Sequence, residues 1–119
     1  MLNTHVRTHH QLGNLFIELE GDDAYVETYF TAYHRMRAKG DPQASPAAHD
    51  TEMDFWVGGR YLDRFQKRDG IWKISHRTGL TDWIRNEPPC AQGYGDTPPE
   101  WVGHRGEEDL VYRRREVFV

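Results

Sequence analysis

This sequence has little cysteine, a shortage of basic residues and no long apolar run, and each shortage excludes a class of protein. A single cysteine, Cys90, occurs among 119 residues, so the chain can form neither an internal disulfide nor a cysteine-only zinc cluster. No apolar run approaches the ~20 residues of a transmembrane helix, and none follows the N-terminus as it would in a signal peptide. Acidic residues outnumber basic ones, 19 to 15, which argues against a general nucleic-acid binder. We therefore expect a cytoplasmic protein without membrane or nucleic-acid partners.

Apolar residues are also few, at 37% of the chain, although aromatic residues account for 13%. The length indicates one domain, because a domain usually holds roughly 100–200 residues. A domain of this size buries roughly two-thirds of the surface that its unfolded chain exposes. The aromatic content is not typical of a disordered tail. We therefore expect a folded domain that is short of apolar material for a core of its own.

A first hairpin is predicted over residues 13–37. Leu15, Ile17 and Leu19 alternate with the residues between them, which is the period of a half-buried strand. Gly21-Asp22-Asp23 offers residues that accept the positive φ of a tight turn. The returning strand, 24 to about 37, has apolar or aromatic residues at both even and odd positions, so we expect both of its faces to be covered.

A second hairpin is predicted between residues 53 and 85. Asp69-Gly70 separates two alternating runs, which is a strong short-range signal of a hairpin turn. Gly58-Gly59 lies in mid-strand and predicts a bulge at which the sheet bends. Residues 38–52, between the two hairpins, are rich in Gly, Pro, Ala and Ser and predict a loop.

The chain divides into a β-rich part, residues 1–85, and a polar tail, residues 86–119, that holds four of the six prolines. We expect the tail to be extended and to wrap the domain or a partner, with one helical turn near residues 107–114. Cys90 has no basic neighbours that would favour a thiolate, so we expect it to be inert. Four long strands without an amphipathic helix leave one face of the sheet to be covered by another subunit or by absent helices.

Three stretches together resemble one protein family: HHQLGN, IELEGDDAYVETYF and GGRYLDRFQKRDGIWKISHR. They are similar to segments of the SnoaL-like family of the nuclear transport factor 2-like superfamily, whose relatives include scytalone dehydratase, bile-acid 7α-dehydratase and lindane dehydrochlorinase. The resemblance implies an α+β cone, here mostly a curved four-stranded antiparallel β-sheet with an extended C-terminal tail and few helices. Family members carry helices ahead of the segment that matches HHQLGN. Only nine residues precede His10 here, so we expect an N-terminally truncated form of the fold.

The resemblance places His10 where dehydratase and dehydrochlorinase relatives have their catalytic histidine, four positions before Asn14. An imidazole titrates near neutral pH and can therefore take a proton in one step and return it in another. In those relatives an Asp from the helical region orients the histidine. Because that region has no counterpart in the matched stretches, a structural role for His10 is the alternative.

Arg77 ends the WKISHR segment, where family members often point a cation into the pocket. A guanidinium at this position could bind a carboxylate or stabilise an enolate-like oxygen. The alternative is a structural salt bridge to a carboxylate such as Asp63 or Asp82. His76 has the opposite parity and should face the other way.

Aromatic residues on the strands are expected to form the wall of a substrate pocket or part of the core: Tyr29, Tyr33, Phe55 and Trp56. Tyr33 lies near the strand position at which some dehydratase relatives place a polar pocket residue. A metal site is not expected, because the adjacent His9 and His10 point to opposite faces of a strand and the family does not generally use metals. The resemblance likewise implies no organic cofactor.

For function, the resemblance implies cofactor-independent proton chemistry on a hydrophobic cyclic small molecule, as in a dehydratase, an isomerase or a dehydrohalogenase. His10 would be the base and Arg77 the orienting cation. Two alternatives stay open, because one scaffold can host many functions. The chain could be a non-catalytic module that binds an apolar ligand, or an assembly domain that forms a homodimer or a larger homo-oligomer.

Overall fold

A single four-stranded antiparallel sheet forms the body of the protein. The computed structural model describes residues 4–89 and 93–117, so Cys90 and the prediction made for it lie outside the described residues. Neighbouring strands pair in chain order, with the bounds His5–Glu20 (β1), Asp23–Met36 (β2), Met53–Arg68 (β3) and Ile71–Glu87 (β4). This curved sheet confirms the predicted fold class. Both hairpins form around the predicted turns, and β1 begins at His5, eight residues before the predicted segment.

The turn between β3 and β4 is set by two residues with positive φ. Asp69 has φ 50° and Gly70 has φ 77°, and two successive residues in this region are typical of the type I′ turn, whose twist matches that of the strands it joins. Gly21, at the turn between β1 and β2, has φ 59°. The turn chemistry of both hairpins therefore agrees with the sequence-based expectation.

The predicted bulge at Gly58-Gly59 is confirmed. The pairing of β3 with β4 shifts register between these two glycines, whose partners on β4 are Trp83 and Thr81. A Cβ atom on Gly58 would collide with the indole ring of Trp83, and one on Gly59 would collide with the backbone oxygen of Leu80. Only glycine leaves room for this close approach, so the pair determines where the sheet bends.

The two faces of the sheet are named here after one residue on each. On the His10 face, the row of paired residues across the four strands is His10, Ala32, Val57 and Ile84. On the Tyr33 face, the next row is His9, Tyr33, Trp56 and Arg85. Successive side chains of a strand point to opposite faces, so these two rows determine which predicted site residues can act together.

The core is thin, because the buried side chains come from the two central strands. Tyr25 and Tyr29 of β2 are 44% and 48% exposed, so the expectation that both faces of this strand are covered was wrong at these two positions. Apolar side chains of the edge strand β1 are more exposed still, at 59–68%: Leu12, Leu15, Ile17 and Leu19. The chain therefore has too few apolar residues to cover the apolar side chains of β1, which stay exposed.

Helical structure is short in the described part of the chain. The 3₁₀ helices Pro99–Trp101 and Leu110–Arg113 lie in the tail, and the second falls within the predicted helical turn. No helix among the described residues has the length and apolar character needed to cross a bilayer. The start of the tail contacts β1, where the Arg7 guanidinium carbon lies 5.4 Å from the centre of the Tyr94 ring.

Candidate active site

Two histidines from neighbouring strands meet on the His10 face. The Nε2 atoms of His10, on β1, and His34, on β2, are 2.9 Å apart. The antiparallel register pairs His10 with Ala32, two residues before His34, so both imidazoles project from the same side of the sheet. His10 is exposed and His34 is 8% exposed. The pair therefore consists of one solvent-exposed imidazole and one buried imidazole.

A third hydrogen-bond partner, the backbone oxygen of Phe55, determines which nitrogen atoms of the two rings carry protons. His34 Nδ1 lies 3.3 Å from the backbone oxygen of Phe55. A carbonyl oxygen only accepts hydrogen bonds, so Nδ1 of His34 carries the proton and donates it. The Nε2 atom of a neutral His34 is then an acceptor, and the Nε2–H of His10 is the donor in the bond between the rings. Neutral His10 consequently has its lone pair on Nδ1.

Burial favours the neutral form of His34. Desolvation has the largest effect and lowers the pKa of His34 below its ordinary value. The hydrogen bond to the Phe55 carbonyl partly opposes this, and the nearby His10 and His5 add smaller effects that lower the pKa. The His5 ring is 5.0 Å from the His34 ring, centre to centre. Among residues 4–89 and 93–117, however, no three His, Cys, Asp or Glu side chains are arranged to hold a metal ion. The cluster therefore consists of the hydrogen-bonded pair His10 and His34 with the imidazole of His5 beside it.

Apolar and polar side chains surround the pair. The row of paired residues through His34 is Thr8, His34, Phe55 and Asn86. The Phe55 ring lies 5.5 Å from the His34 ring, and the row through His10 continues across the sheet as Ala32, Val57 and Ile84. Ile84 is 56% exposed. Of the four aromatic residues predicted to form the pocket wall, Phe55 is the one that lies on the His10 face.

The other three predicted wall residues lie on the Tyr33 face. Tyr33 and Trp56 pack with their ring centres 4.8 Å apart, and the Tyr33 hydroxyl donates a hydrogen bond of 2.7 Å to Asp54, which is fully buried. Burial and this hydrogen bond raise the pKa of Tyr33. Tyr29 is half exposed beneath Arg60, whose guanidinium carbon is 5.9 Å from its ring centre. The structure therefore does not bring Tyr29, Tyr33 or Trp56 together with His10.

Arg77 lies on the His10 face but at the far end of the sheet. Its guanidinium donates two hydrogen bonds to Asp63, of 2.8 and 2.9 Å, and lies 3.9 Å from the centre of the Tyr61 ring. The side chain of Asp63 is 2% exposed and that of Arg77 is 44% exposed. The hydrogen bonds to Asp63 raise the pKa of Arg77. Of the two carboxylates that the sequence offered as salt-bridge partners, Asp63 is the one that Arg77 binds, whereas Asp82 pairs with Arg60 at 3.2 Å.

The distance between the two predicted catalytic residues is large. His10 pairs with Ala32, whereas Arg77 pairs with Asp63, which in turn pairs with Val26. Ala32 and Val26 are six residues apart on β2, which corresponds to ~20 Å at ~3.3 Å per residue. His10 and Arg77 therefore occupy opposite ends of the His10 face.

The family follows from a comparison with known proteins. Residues 1–78 match the family model described as the SnoaL-like domain. The chain belongs to the SnoaL-like family. No curated protein sequence matches this SnoaL-like chain significantly.

Solved structures share the fold of this SnoaL-like chain. Hexachlorocyclohexane dehydrochlorinase LinA type 2 has 17% identity and a TM-score of 0.59, with 82% of this chain and 55% of that chain covered. A scytalone dehydratase-like protein from Novosphingobium aromaticivorans has 25% identity and a TM-score of 0.55 over 74% of this chain and 52% of the other. The Kfla4162 protein from Kribbella flavida has 15% identity and a TM-score of 0.56 over 71% and 52%. The SnoaL-like chain thus spans about half the length of each, and these neighbours confirm the nuclear transport factor 2-like fold class.

His34 is the residue of this SnoaL-like site that sequence reasoning missed. The sequence predicted Tyr33, one position earlier, as the polar pocket residue. Neighbouring residues of a strand point to opposite faces of the sheet, so Tyr33 lies on the face away from His10. A signal was available, because His34 continues the even-numbered series Val26, Thr28, Phe30 and Ala32. What the sequence does not contain is the register that brings His10 opposite Ala32.

Proposed function

We propose that this SnoaL-like chain carries the base of a cofactor-independent lyase or isomerase that acts on a hydrophobic cyclic small molecule. The observation that supports this most is the 2.9 Å contact between His10 and a buried, neutral His34. A general base needs a lone pair on the substrate side and a fixed orientation. The His34–Phe55 hydrogen bond supplies the orientation, and the tautomer it selects leaves the lone pair on Nδ1 of His10.

The proton moves as follows in the proposed reaction. Nδ1 of His10 removes a proton from a carbon atom beside the leaving group or beside a carbonyl group, and the electrons of the broken C–H bond form the new double bond. His10 becomes an imidazolium, and its Nε2–H bond to His34 becomes charge-assisted and shorter. In a dehydration the imidazolium returns the proton to the departing hydroxyl group, which leaves as water. In a dehydrohalogenation the halide leaves with the bonding electrons and needs no proton.

The apolar side chains near His10 favour a hydrophobic substrate. Small-molecule sites are mostly apolar with a few polar groups that orient the ligand. Phe55 supplies apolar surface beside the histidine pair, and Leu12 continues it along β1 at 63% exposure. Ile84 lies on the same face, three strands away from His10. Arg77 remains a predicted orienting cation; it lies at the other end of the same face and is bound to Asp63.

The test uses the full chain and two matched histidine variants. Wild type, His10→Gln and His76→Gln are assayed for chloride release from hexachlorocyclohexane isomers and for enone formation from cyclic β-hydroxy ketones. His76 is the control because it is exposed and lies on the Tyr33 face. We expect His10→Gln to lower kcat by roughly 10²- to 10⁴-fold, the usual contribution of a general base, and His76→Gln to change it less than about twofold.

Other outcomes would contradict the proposal. Equal losses in the two variants would show that His10 has no special role. Saturable binding of these compounds without turnover would instead favour the non-catalytic binding module.

The exposed apolar edge of β1 favours one further candidate, an assembly domain. Leu15, Ile17 and Leu19 are 59–68% exposed on an edge strand, and such an edge tends to pair with or be covered by another chain. Light scattering after size-exclusion chromatography tests it: a mass of at least twice 14.0 kDa supports a homo-oligomer, and a mass of 14.0 kDa at all concentrations contradicts it.

A further inference from the structure

A cavity lies at the edge of the sheet, where the Tyr33 face meets the edge strand β1. It encloses about 580 Å³ between the beginning of β1 and the C-terminal tail, which falls within the range of ~300–1,000 Å³ that small-molecule sites occupy. Arg7 and His9 contribute to its lining from β1, and Tyr94, His104 and Arg105 contribute from the tail. His9 pairs with Tyr33, so both lie on the opposite face of the sheet from His10. Thr8 also lines the cavity and pairs with His34, so the cavity reaches the edge of the sheet.

The lining of this cavity favours an anion. Arg7 and Arg105 carry two positive charges, and His9 and His104 add two groups that can become positive. The acid that lines the cavity is Asp109, and both of its oxygens are already used. One accepts a 2.7 Å hydrogen bond from the backbone N–H of His104 and the other a 2.9 Å bond from that of Val111. These two bonds lower the pKa of Asp109, so this carboxylate stays ionised, and the lining contains two arginines for this one acid.

Arg7 has hydrogen-bonding capacity that is not used within the described part of the chain. Its Nε atom is buried and has no hydrogen-bond partner among the described residues. No carboxylate in the described part of the chain forms an ion pair with Arg7. Its guanidinium carbon lies 5.4 Å from the centre of the Tyr94 ring, in a cation–π contact. A buried donor without a partner is unfavourable, so an acceptor that entered the cavity and drew the guanidinium toward it would relieve this cost.

Two aromatic residues, Tyr33 and Tyr94, line the cavity. Tyr33 is 8% exposed and its hydroxyl donates a hydrogen bond to Asp54, so a ligand would contact its ring rather than its hydroxyl. Tyr94 adds a second ring at the side of Arg7. A guanidinium binds a carboxylate with two parallel hydrogen bonds, and aromatic rings stack against a planar body.

We propose that this cavity is a second binding site, which takes the carboxylate of a small aromatic organic acid and uses Arg7 as its main cation. The site does not depend on the proposed chemistry of His10, because neither His10 nor His34 lines this cavity. The aromatic body of the acid contacts Tyr33 and Tyr94, and Arg105 contributes a second positive charge.

Nuclear magnetic resonance titration of the ¹⁵N-labelled full chain tests the site. Sodium benzoate is the probe, benzamide is its uncharged analogue, sodium phosphate is a non-aromatic anion, and sodium chloride keeps the ionic strength constant. We expect benzoate to shift the amide signals of Arg7, Tyr94 and Gly103 saturably, and benzamide to leave them unchanged. Arg7→Met should weaken benzoate binding by at least roughly tenfold, since it removes a charge-assisted pair of hydrogen bonds.

Arg113→Met is the matched control, because Arg113 is an exposed tail residue outside the cavity lining, and it should change the affinity by less than about twofold. If Arg7→Met does not fold, as judged by the dispersion of its amide signals, Arg105→Met provides the second variant and should weaken binding at least roughly threefold by removing one charge. The absence of saturable shifts, an equal response to benzamide, tighter binding of phosphate than of benzoate, or equal affinities in the cavity and control variants would each overturn the proposal.

Discussion

The Nε2 atom of His10 and the Nε2 atom of His34 are 2.9 Å apart across β1 and β2, and His34 is the buried member of the pair. Because His34 donates through Nδ1 to the Phe55 carbonyl, it can accept from His10 only while it is neutral. A backbone oxygen on a third strand therefore determines which nitrogen atoms of the two rings carry protons. This relationship links the proposed chemistry to the stability of the sheet.

The first prediction concerns the pH dependence of stability. Burial lowers the pKa of His34 in the folded protein, whereas the unfolded chain has the ordinary value of about 6.5. As the pH falls through that value the unfolded state binds a proton that the folded state does not, so the free energy of unfolding decreases. Urea unfolding at several pH values between about 7.5 and 5 measures this, and His34→Gln should reduce the slope. His76→Gln, at an exposed histidine, should keep it; equal slopes in all three proteins would contradict the assignment.

The second prediction concerns the pair formed by Arg77 and Asp63. Arg77→Met leaves the Asp63 carboxylate, whose side chain is 2% exposed, without its bidentate partner. We expect the free energy of unfolding to fall by about 2 kcal/mol, and Asp63→Asn in the same chain to recover part of the loss. Arg85→Met is the control, because its pair with Glu87 involves an Arg side chain that is 58% exposed, and it should cost less than about 0.5 kcal/mol.

The same Arg77→Met variant also tests the predicted orienting role. If Arg77 orients the substrate, kcat/KM should fall well beyond what the loss of folded protein explains. Lower stability with unchanged kcat/KM would leave Arg77 with the structural role alone.

The third prediction concerns the bend at Gly58. Gly58→Ala should destabilise the protein by at least about 2 kcal/mol, because its Cβ would overlap the Trp83 ring and overpacking of a close contact costs about 1–3 kcal/mol. Gly79→Ala is the matched control, since a Cβ at Gly79 meets no atom within 4 Å. Thermal unfolding compares the two. Replacement of Trp83 by Ala in the Gly58→Ala protein should restore part of the stability, and no recovery would show that the clash is not the cause.

The fourth prediction concerns the buried hydroxyl of Tyr33. Tyr33→Phe removes the donor of the 2.7 Å hydrogen bond to Asp54, which is fully buried, so we expect a loss of about 1–2 kcal/mol in unfolding free energy. Turnover by His10 should be unchanged, because Tyr33 lies on the other face of the sheet. Tyr25→Phe, at a side chain that is 44% exposed, should change neither quantity. A large loss of kcat in Tyr33→Phe would place this residue in the active site after all.

Local sequence features predicted the strands and turns well, since each depends on neighbouring residues. Asp69-Gly70 forms its turn because two residues with positive φ suit a hairpin, and Gly58-Gly59 forms its bulge because no larger residue fits. The alternation of residues assigned side chains to the wrong face of the sheet at the bulges, where one strand has an extra residue. Ser75 is the extra residue opposite the Arg64–Phe65 step, and its hydroxyl donates to the Arg64 carbonyl. Ile74 and Arg77 therefore share a face although their positions differ by three.

The sequence by itself determined the β-hairpins, the SnoaL-like family and His10 as a candidate base, because turn chemistry, alternation and motif order are all carried by short segments. Only the tertiary structure decided that His34 accompanies His10, that Arg77 binds Asp63 rather than Asp82, and that Tyr33 and Trp56 face away from the histidine pair. Each of these depends on the register between strands. Register is a long-range property, in which a shift of one residue exchanges the two faces of a strand without any change in local sequence.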